Sequence, residues 1–485
     1  MGNKEAPYLL FVNGSWRESS SGSTFTTYDP ATNEPLAEVA QSEPEDVDLA
    51  VEAARGALEH KEWRELDPAK RGRILFRIAS LIRERSDDLA RLESLDNGKP
   101  LREAKGDVGY TARTWEYFAG LADKIEGKTV PVPGLRFDYT RVEPLGITVH
   151  IVPWNYPLVL GSRGIAPALA AGNTAVVKPS SLAPLTNLKL AEIAHDAGLP
   201  KGVLNVVPGR GSETGSYLAG HKGIDSITFT GSVETGREVM KLAAQHITPV
   251  TLELGGKCPN IVLEDADRAR AVRGVLRGIF TNAGQMCWAG SRLLVQESVK
   301  DKLLRALKKG TDSIIVGPGT SEKSHMGPLV SEQQVDSVMG YIKIGQDEGA
   351  KLLTGGERAK DGGLAQGNFV QPTIFSEVDP GMTIATEEIF GPVLSAITFE
   401  DMEDALEIAN RTEFGLCAGV WTRDISRAHR LAAELESGVV SINEYPITFP
   451  QTPFGGFKQS GIGREQGLEA VYSYCRVKNV NVNLL

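Results

Sequence analysis

Cysteine is scarce in this chain: four residues in 485, at positions 258, 287, 417 and 475. They are widely scattered, with no CxxC pair and no histidine at ligand spacing, so neither a disulfide framework nor a zinc site is supported. The seven histidines are equally dispersed, and a metal-free protein is the expectation. There is no long basic stripe, and the net charge of −10 argues against nucleic acid as a principal partner. That acidic balance is chiefly a statement about solubility. Long hydrophobic runs are also missing. The most apolar stretch, GIAPALAAGNTAVV, is interrupted by Gly, Pro and Asn and is too short to span a bilayer. The opening MGNKEAPYLLFVNGSW lacks an apolar core of signal-peptide length, which makes the cytoplasm the expected location.

What is present is ordinary globular material: 41% hydrophobic, 24% charged and 7% aromatic residues, in a length suited to two to four domains. Strand-like pieces joined by the loop SSSGST come first. Ser42-Glu-Pro-Glu45 resembles a capping box that opens a helix, with Val47, Val51, Ala54 and Leu58 on one face. Asp67-Pro68 starts a second helix, carrying Ile74, Ile78, Leu81 and Ile82 at helical spacing and followed by Asn97-Gly98.

From about residue 145 the pattern changes to short apolar runs separated by helical segments. ITVHIV (147–152), TAVVK (174–178), VLNVV (203–207), SITFT (226–230) and VTLEL (250–254) are the expected strands. Each gap leaves room for a crossover helix, which predicts a parallel sheet covered on both faces. A second alternation from about 260 to 450 includes RLLVQ (292–296) and GVVSIN (438–443). The fold class is therefore α/β, with two such domains in series and Glu253 near the hinge. GKTVPVPGLRFDYTRV (127–142) and the tail YCRVKNVNVNLL (474–485) fit neither domain. They read as peripheral strands, or as an arm that pairs with another subunit, since an unpaired apolar edge is a liability in a monomer.

The chemistry-bearing residues stand in glycine-rich surroundings. Cys287 closes FTNAGQMC, and Glu253 lies in TLELGG. A thiol nucleophile plus a carboxylate base suits covalent acyl transfer. The alternatives are a buried structural thiol for Cys287 and a salt-bridged hinge carboxylate for Glu253. Cys258, Cys417 and Cys475 lack such a setting and read as structural. Two turns, Pro208–Gly215 and Phe229–Gly236, each follow an expected strand and enter an expected helix. Glycines at a helix start let a pyrophosphate approach free amides, although the spacing is not the usual dinucleotide fingerprint.

Seven ordered motifs then give the chain a strong resemblance to the aldehyde dehydrogenase superfamily. They are PWNYPL (153–158), VVKPSS (176–181), FTGS (229–232), LELGG (252–256), FTNAGQMC (280–287), EEIFGP (387–392) and PFGGFKQSGIGRE (453–465). The resemblance implies a Rossmann-type NAD(P)-binding domain, a second α/β catalytic domain and a small β oligomerisation arm, assembled as a homodimer or homotetramer. The boundaries expected are 1–124 and 143–252 for the cofactor domain, 253–450 for the catalytic domain, and 125–142 with 468–485 for the arm.

The same resemblance makes Cys287 the nucleophile and Glu253 the base that activates the deacylating water. It makes Asn155 an oxyanion donor beside the Cys287 backbone amide. Glu388 and Phe390 resemble the pair that holds the nicotinamide ribose and ring, and Lys178 resembles the adenosine-ribose ligand. Trp154, Gly211 and Ser232 would line the cofactor channel, with Val152, Pro153, Ser181, Phe229, Gly231 and Leu254. Glu465 resembles a second carboxylate with a proton-relay role, or is an ordinary helix-terminal charge.

Two departures matter. Many NAD-preferring relatives carry glutamate where this chain has Ser181. Serine does not repel a 2′-phosphate, so NADP+ is expected to be accepted as well as NAD+. Arg163, eight residues after Asn155, resembles the arginine that succinic semialdehyde dehydrogenases use for a substrate carboxylate. Some aromatic-aldehyde dehydrogenases share it. The second arginine of that acid clamp is replaced by Thr281. Arg163 either points inward or forms a surface ion pair. Tyr156 and Trp288 could wall a flat substrate, so an aromatic or acidic aldehyde is expected, and a cationic one is disfavoured if Arg163 points inward. The other function classes are a CoA-acylating enzyme, disfavoured by Glu253, a cysteine hydrolase of amides or esters, and a noncatalytic structural protein.

Overall fold

Five parallel strands form the centre of the first sheet, in spatial order Leu204–Val206, Thr174–Pro179, Ile147–Val152, Ser226–Thr230 and Val250–Glu253. The computed structural model describes residues 7–485; the first six residues of the expected cofactor domain and of the opening segment lie outside the described residues. Antiparallel strands flank the five. Leu10–Val12 and Ser15–Arg17 lie on one side, and Gly461–Ile462, from far along the chain, lies on the other. Ile147, Thr148, Val149 and His150 are consecutive buried residues, as a strand covered on both faces requires. After Ile147–Val152 the chain adds strands first to one side and then to the other. The crevice outside its carboxyl end is therefore a topological switch point, where ligands of open α/β sheets bind.

The second sheet has seven strands in the order Lys351–Thr354, Thr373–Ser376, Val393–Phe399, Arg292–Gln296, Pro259–Val262, Cys417–Trp421 and Val439–Ile442. All its pairings are parallel except that of Lys351–Thr354. The two segments that fitted neither domain meet each other. Cys475–Asn483 runs antiparallel to Arg136–Pro144 in unbroken register from Cys475↔Pro144 to Asn483↔Arg136, and Thr129–Val130 adds a third strand. Among the described residues no helix is long and apolar enough to cross a membrane.

Two local expectations need correction. The helix opens at Pro44 with Glu43 as its cap, one residue later than the Ser42–Glu45 box predicts. The Asp46 carboxylate accepts the Glu43 N–H at 3.0 Å and also the Ser20 N–H, while Ser42 N–H donates to the Pro208 carbonyl. Ser42 is thereby drawn out of the helix toward the first glycine-rich turn. The helix begun at Asp67, whose side chain caps it as expected, stops at Glu84; a separate helix, Ser86–Asn97, follows and ends at left-handed Gly98. The first glycine-rich turn also enters a single π-type turn, Gly211–Gly215, before the short helix Ser216–Ala219.

Candidate active site

Glycines bring the separated motifs into contact. Glu253 ends its strand and is buried. A Cβ built on Gly256 would lie 2.2 Å from the Cys287 carbonyl oxygen, and one on Gly255 would lie 2.4 Å from the Glu388 carboxylate. Only glycine permits such approach. Gly256 N–H then donates to Glu388 at 2.9 Å. A Cβ on Gly455 would stand 2.8 Å from Glu253 Oε1, so the PFGG run covers that carboxylate from the other side.

Cys287 is delivered by an unusual turn. The helix Arg268–Phe280 ends, and Asn282, Ala283 and Gly284 follow with φ of 48°, 53° and 75°. Two consecutive left-handed residues bearing side chains cost roughly 1–2 kcal/mol each, and side-chain hydrogen bonds offset that cost. Asn282 donates its N–H to Glu103 at 2.8 Å and its Nδ2 to the Asn155 carbonyl at 2.9 Å. Asn155 Nδ2 donates to the Gln285 carbonyl at 3.0 Å, two residues before Cys287. Gln285 in turn accepts from Val330 N–H. Asn97 Nδ2 donates to the Trp154 carbonyl at 2.8 Å and fixes the strand-to-helix bend that carries Asn155.

Cys287 keeps part of its surface open to a cavity of about 830 Å³, which Asn155, Tyr156, Arg163, Trp288 and Phe454 also line. Phe454 and Trp288 meet edge to face at 5.6 Å, and the Trp288 carbonyl accepts from the Tyr445 hydroxyl. Arg163 is inward, not at the surface: its guanidinium lies 4.3 Å over the Phe454 ring and 2.8 Å from the Glu465 carboxylate, with both side chains buried. Glu465 is accordingly a buried, paired group rather than a solvated helix-terminal charge. Thr281 also faces this cavity.

Burial pushes the Cys287 thiol up; Arg163 opposes the shift, and Glu388 and Glu253 add to it. The Glu253 carboxyl is held well above the ordinary carboxylate range by burial and then by Glu465, against Arg163 and Arg464. Sequence reasoning missed two charged groups here: Lys99, which packs on the cavity-lining Tyr156, and Glu103, which lines the cavity itself. Lys99 is fully buried, sits 4.0 Å over the Tyr156 ring and pairs with Glu93 at 3.2 Å and Asp107 at 2.7 Å. Its signal was the run LDNGKP, legible only as a helix end. Glu103, raised to about 7 by burial, was hidden in an amphipathic helix.

The expected dinucleotide residues lie along the carboxyl ends of the first sheet. Val152 ends the switch-point strand, Pro153 follows it, and the Trp154 indole meets the Phe390 ring edge to face at 5.3 Å. Lys178 is buried at the end of its own strand, and burial alone brings its ammonium down to about 8. Ser181 is half-buried just beyond it, and Gly211 is exposed on the π-type turn. Phe229 lies beneath Gly231, where a Cβ would fall 2.5 Å from its ring. Exposed Ser232 caps the helix Val233–Ala244, and Leu254 fills the space that a Cβ on Gly236 would need. Burial raises Glu388 to about 7, opposed by the Gly256 N–H. Lys178, a buried cation with no ion pair among the described residues and packed beside Gly215 of the first glycine-rich turn, fits a phosphorylated dinucleotide. Among the described residues no group of histidine, cysteine or acidic side chains could hold a metal ion.

The architecture and sequence match known proteins along nearly their whole length. The model of the aldehyde dehydrogenase family matches residues 16–480. Hydroxyisobutyraldehyde dehydrogenase of Mycolicibacterium austroafricanum is 46% identical over 478 residues, 99% of this chain and 94% of that protein. Betaine aldehyde dehydrogenase of Bacillus subtilis is 45% identical over 476 residues, 98% of this chain and 97% of that protein. The NAD+ complex of an aldehyde dehydrogenase from Bacillus cereus superimposes with a TM-score of 0.97 at 44% identity, covering 99% of this chain and 97% of that one.

Proposed function

The chain belongs to the aldehyde dehydrogenase family, and from that premise we propose that it oxidises an aldehyde to the carboxylic acid with Cys287 as nucleophile and Glu253 as the base that frees the acyl group. The observation that most supports this reading is the packing of Gly256, three residues after the buried Glu253, against the carbonyl of Cys287, whose thiol lines the cavity. Sulfur attacks the aldehyde carbon, a C–S bond forms, and the carbonyl electron pair moves onto oxygen. Asn155 has a second amide proton to offer that oxygen, with the Cys287 backbone N–H beside it. When the carbonyl re-forms, the carbon must give up its hydride. An oxidised nicotinamide, when bound, supplies the acceptor; Glu388, Phe390 and Lys178 are the residues that would hold the dinucleotide. Glu253 then takes a proton from water, water oxygen attacks the thioester, and the C–S bond breaks with sulfur leaving as thiolate. A CoA acceptor would need no such base.

Tyr156, Trp288 and Phe454 present aromatic surface to the cavity, and Glu465 offsets the charge of Arg163. We therefore favour a flat aromatic aldehyde over an acidic one. The serine at 181 supports use of NADP+ as well as NAD+. The cofactor, catalytic and arm boundaries at 1–124 with 143–252, 253–450, and 125–142 with 468–485 remain our division of the chain. The exposed three-stranded arm supports a homodimer or homotetramer.

The test is a panel of aliphatic, aromatic, acidic and cationic aldehydes with each cofactor, followed by absorbance of the reduced dinucleotide. Cys287→Ala is expected to abolish the signal. Glu253→Gln is expected to leave a stoichiometric burst with slow later turnover, and to lose the rise of turnover with pH that ionisation of Glu253 gives. Full turnover by Cys287→Ala, or no burst in Glu253→Gln with an unchanged steady state, overturns the assignment.

A further inference from the structure

The cavity on which Cys287 opens has two ends of different character. At the deep end stand buried Asn155 and Phe454, with the Trp288 ring against Phe454. At the other end the wall reaches solvent, and its exposed charged side chains are all arginines: Arg102, Arg113 and Arg277. Among the described residues no exposed carboxylate lines this cavity, although the whole chain carries a net charge of −10. The mouth is therefore cationic against the general sign of the protein, which concentrates anions there.

Two helices build the mouth. Glu103, Asp107, Tyr110 and Arg113 recur along one face of the helix Leu101–Leu121, so that wall ends at Arg113. The Arg113 guanidinium lies 5.6 Å over the Tyr110 ring, whose hydroxyl accepts from Gln466 Nε2. Arg277 stands one turn before Thr281 on the helix Arg268–Phe280, which brings four arginines and no carboxylate. The three mouth arginines differ in what they have left to offer. Arg102 donates to the His325 carbonyl at 2.7 Å and lies 3.9 Å from Glu103. The side chains of Arg113 and Arg277 have no hydrogen bond or ion pair among the described residues. Carboxylates on the Arg113 helix are engaged elsewhere: Glu116 accepts twice from Arg83, Asp107 pairs with Lys99 at 2.7 Å, and Glu103 accepts from Asn282 N–H at 2.8 Å.

We propose that the substrate is an aromatic aldehyde bearing a carboxylate on a short tether across the ring from the carbonyl, and that Arg113 and Arg277 receive this carboxylate at the mouth. The inference rests on the reading of an aromatic aldehyde attacked by Cys287, and adds a second pole to that substrate. Guanidinium groups suit the task, since their planar fork matches a carboxylate. An acid at the deep end would have to displace Glu465, which lies 2.8 Å from Arg163. At the mouth no carboxylate has to leave. Size agrees: about 830 Å³ falls toward the top of the roughly 300–1,000 Å³ span of ligand pockets and leaves room beyond a single ring.

Three aldehydes of similar length separate charge from shape: 4-formylphenoxyacetate, its methyl ester, and an analogue ending in trimethylammonium. With the parent protein, kcat/KM for the acid is expected to exceed that for the ester about tenfold, chiefly through KM. Most of that advantage is expected to vanish between about 0.05 and 0.5 M salt. The double variant Arg113→Gln with Arg277→Gln, both exposed positions, is expected to bring the ratio of acid to ester close to one. A parent ratio near one, a ratio that survives in the double variant, or a preference for the trimethylammonium analogue overturns the proposal. Calorimetry with phenoxyacetate, which has no aldehyde to oxidise, reads the mouth alone. Binding about tenfold weaker in the double variant is expected, and equal binding overturns the proposal. If phenoxyacetate binds as expected while none of the aldehydes is oxidised, it is the reading of Cys287 as aldehyde nucleophile that fails, not the recognition of the carboxylate.

Discussion

Asn155 offers one amide proton to Gln285 and lines the cavity, so a single side chain holds the turn before Cys287 and, in the proposed mechanism, would offer its other amide proton to the reacting oxygen. Removing one donor of this kind costs about 3–4 kcal/mol of barrier, or roughly two to three orders of magnitude in kcat. Asn155→Ala is expected to lose that much kcat in steady-state assays; a loss below about fivefold would remove Asn155 from the oxyanion role. Ser181 makes a separate prediction. A carboxylate placed there would accept from a ribose 2′-hydroxyl and repel a 2′-phosphate. Ser181→Glu is expected to move the ratio of kcat/KM for NAD+ over NADP+ upward by about tenfold, roughly 1.4 kcal/mol. An unchanged ratio would place residue 181 away from the ribose.

At the scale of elements, the decisive piece is the turn of left-handed residues between the helix Arg268–Phe280 and Cys287. Its third member, Gly284, lies so close to the Gly391 carbonyl that a Cβ would come within 2.1 Å. Gly391 directly follows the Glu388–Phe390 run, so this contact joins the turn that carries Cys287 to the loop that, in the proposed reading, would hold the dinucleotide. Gly284→Ala is expected both to lower the melting temperature and to weaken dinucleotide binding by calorimetry; a fall in melting temperature with unaltered binding would show that the two loops are independent. FTNAGQMC was legible as a motif, but its backbone was not, because Asn282 and Ala283 take up positive φ only with the help of Glu103 and Asn155, far away in sequence. The displaced capping box has a similar cause. Asp46 serves Ser20, which no inspection of residues 42–46 reveals. Strands, by contrast, were readable nearly to the residue. Ile147–Val152, Ser226–Thr230 and Arg292–Gln296 are apolar runs long enough to need cover on both faces.

At the scale of the whole molecule, the arm stands apart from both large sheets. Its strand Cys475–Asn483 pairs along one edge with Arg136–Pro144, while Val477 and Phe137 remain exposed. An edge of this kind invites another chain. Deletion of residues 475–485 is expected to reduce the particle mass in light scattering from an oligomer to a monomer; a parent protein that is already monomeric would refute the arm. Pattern and turn chemistry announced the arm's strands, since their alternation is local. The segment 451–467 was harder to place. It had motif value but no visible destination, and it returns across the molecule to set Gly461–Ile462 beside Leu252–Glu253. Two-residue strands carry too little periodicity to be seen in sequence.

That late return has a consequence for biosynthesis. Phe454, Gly455, Arg464 and Glu465 all emerge from the ribosome long after Cys287, yet they pack around Glu253 and Arg163. Domains fold as they are made, from the amino end onward. A nascent or truncated polypeptide ending before residue 465 therefore carries the Cys287 sulfur in an unfinished pocket.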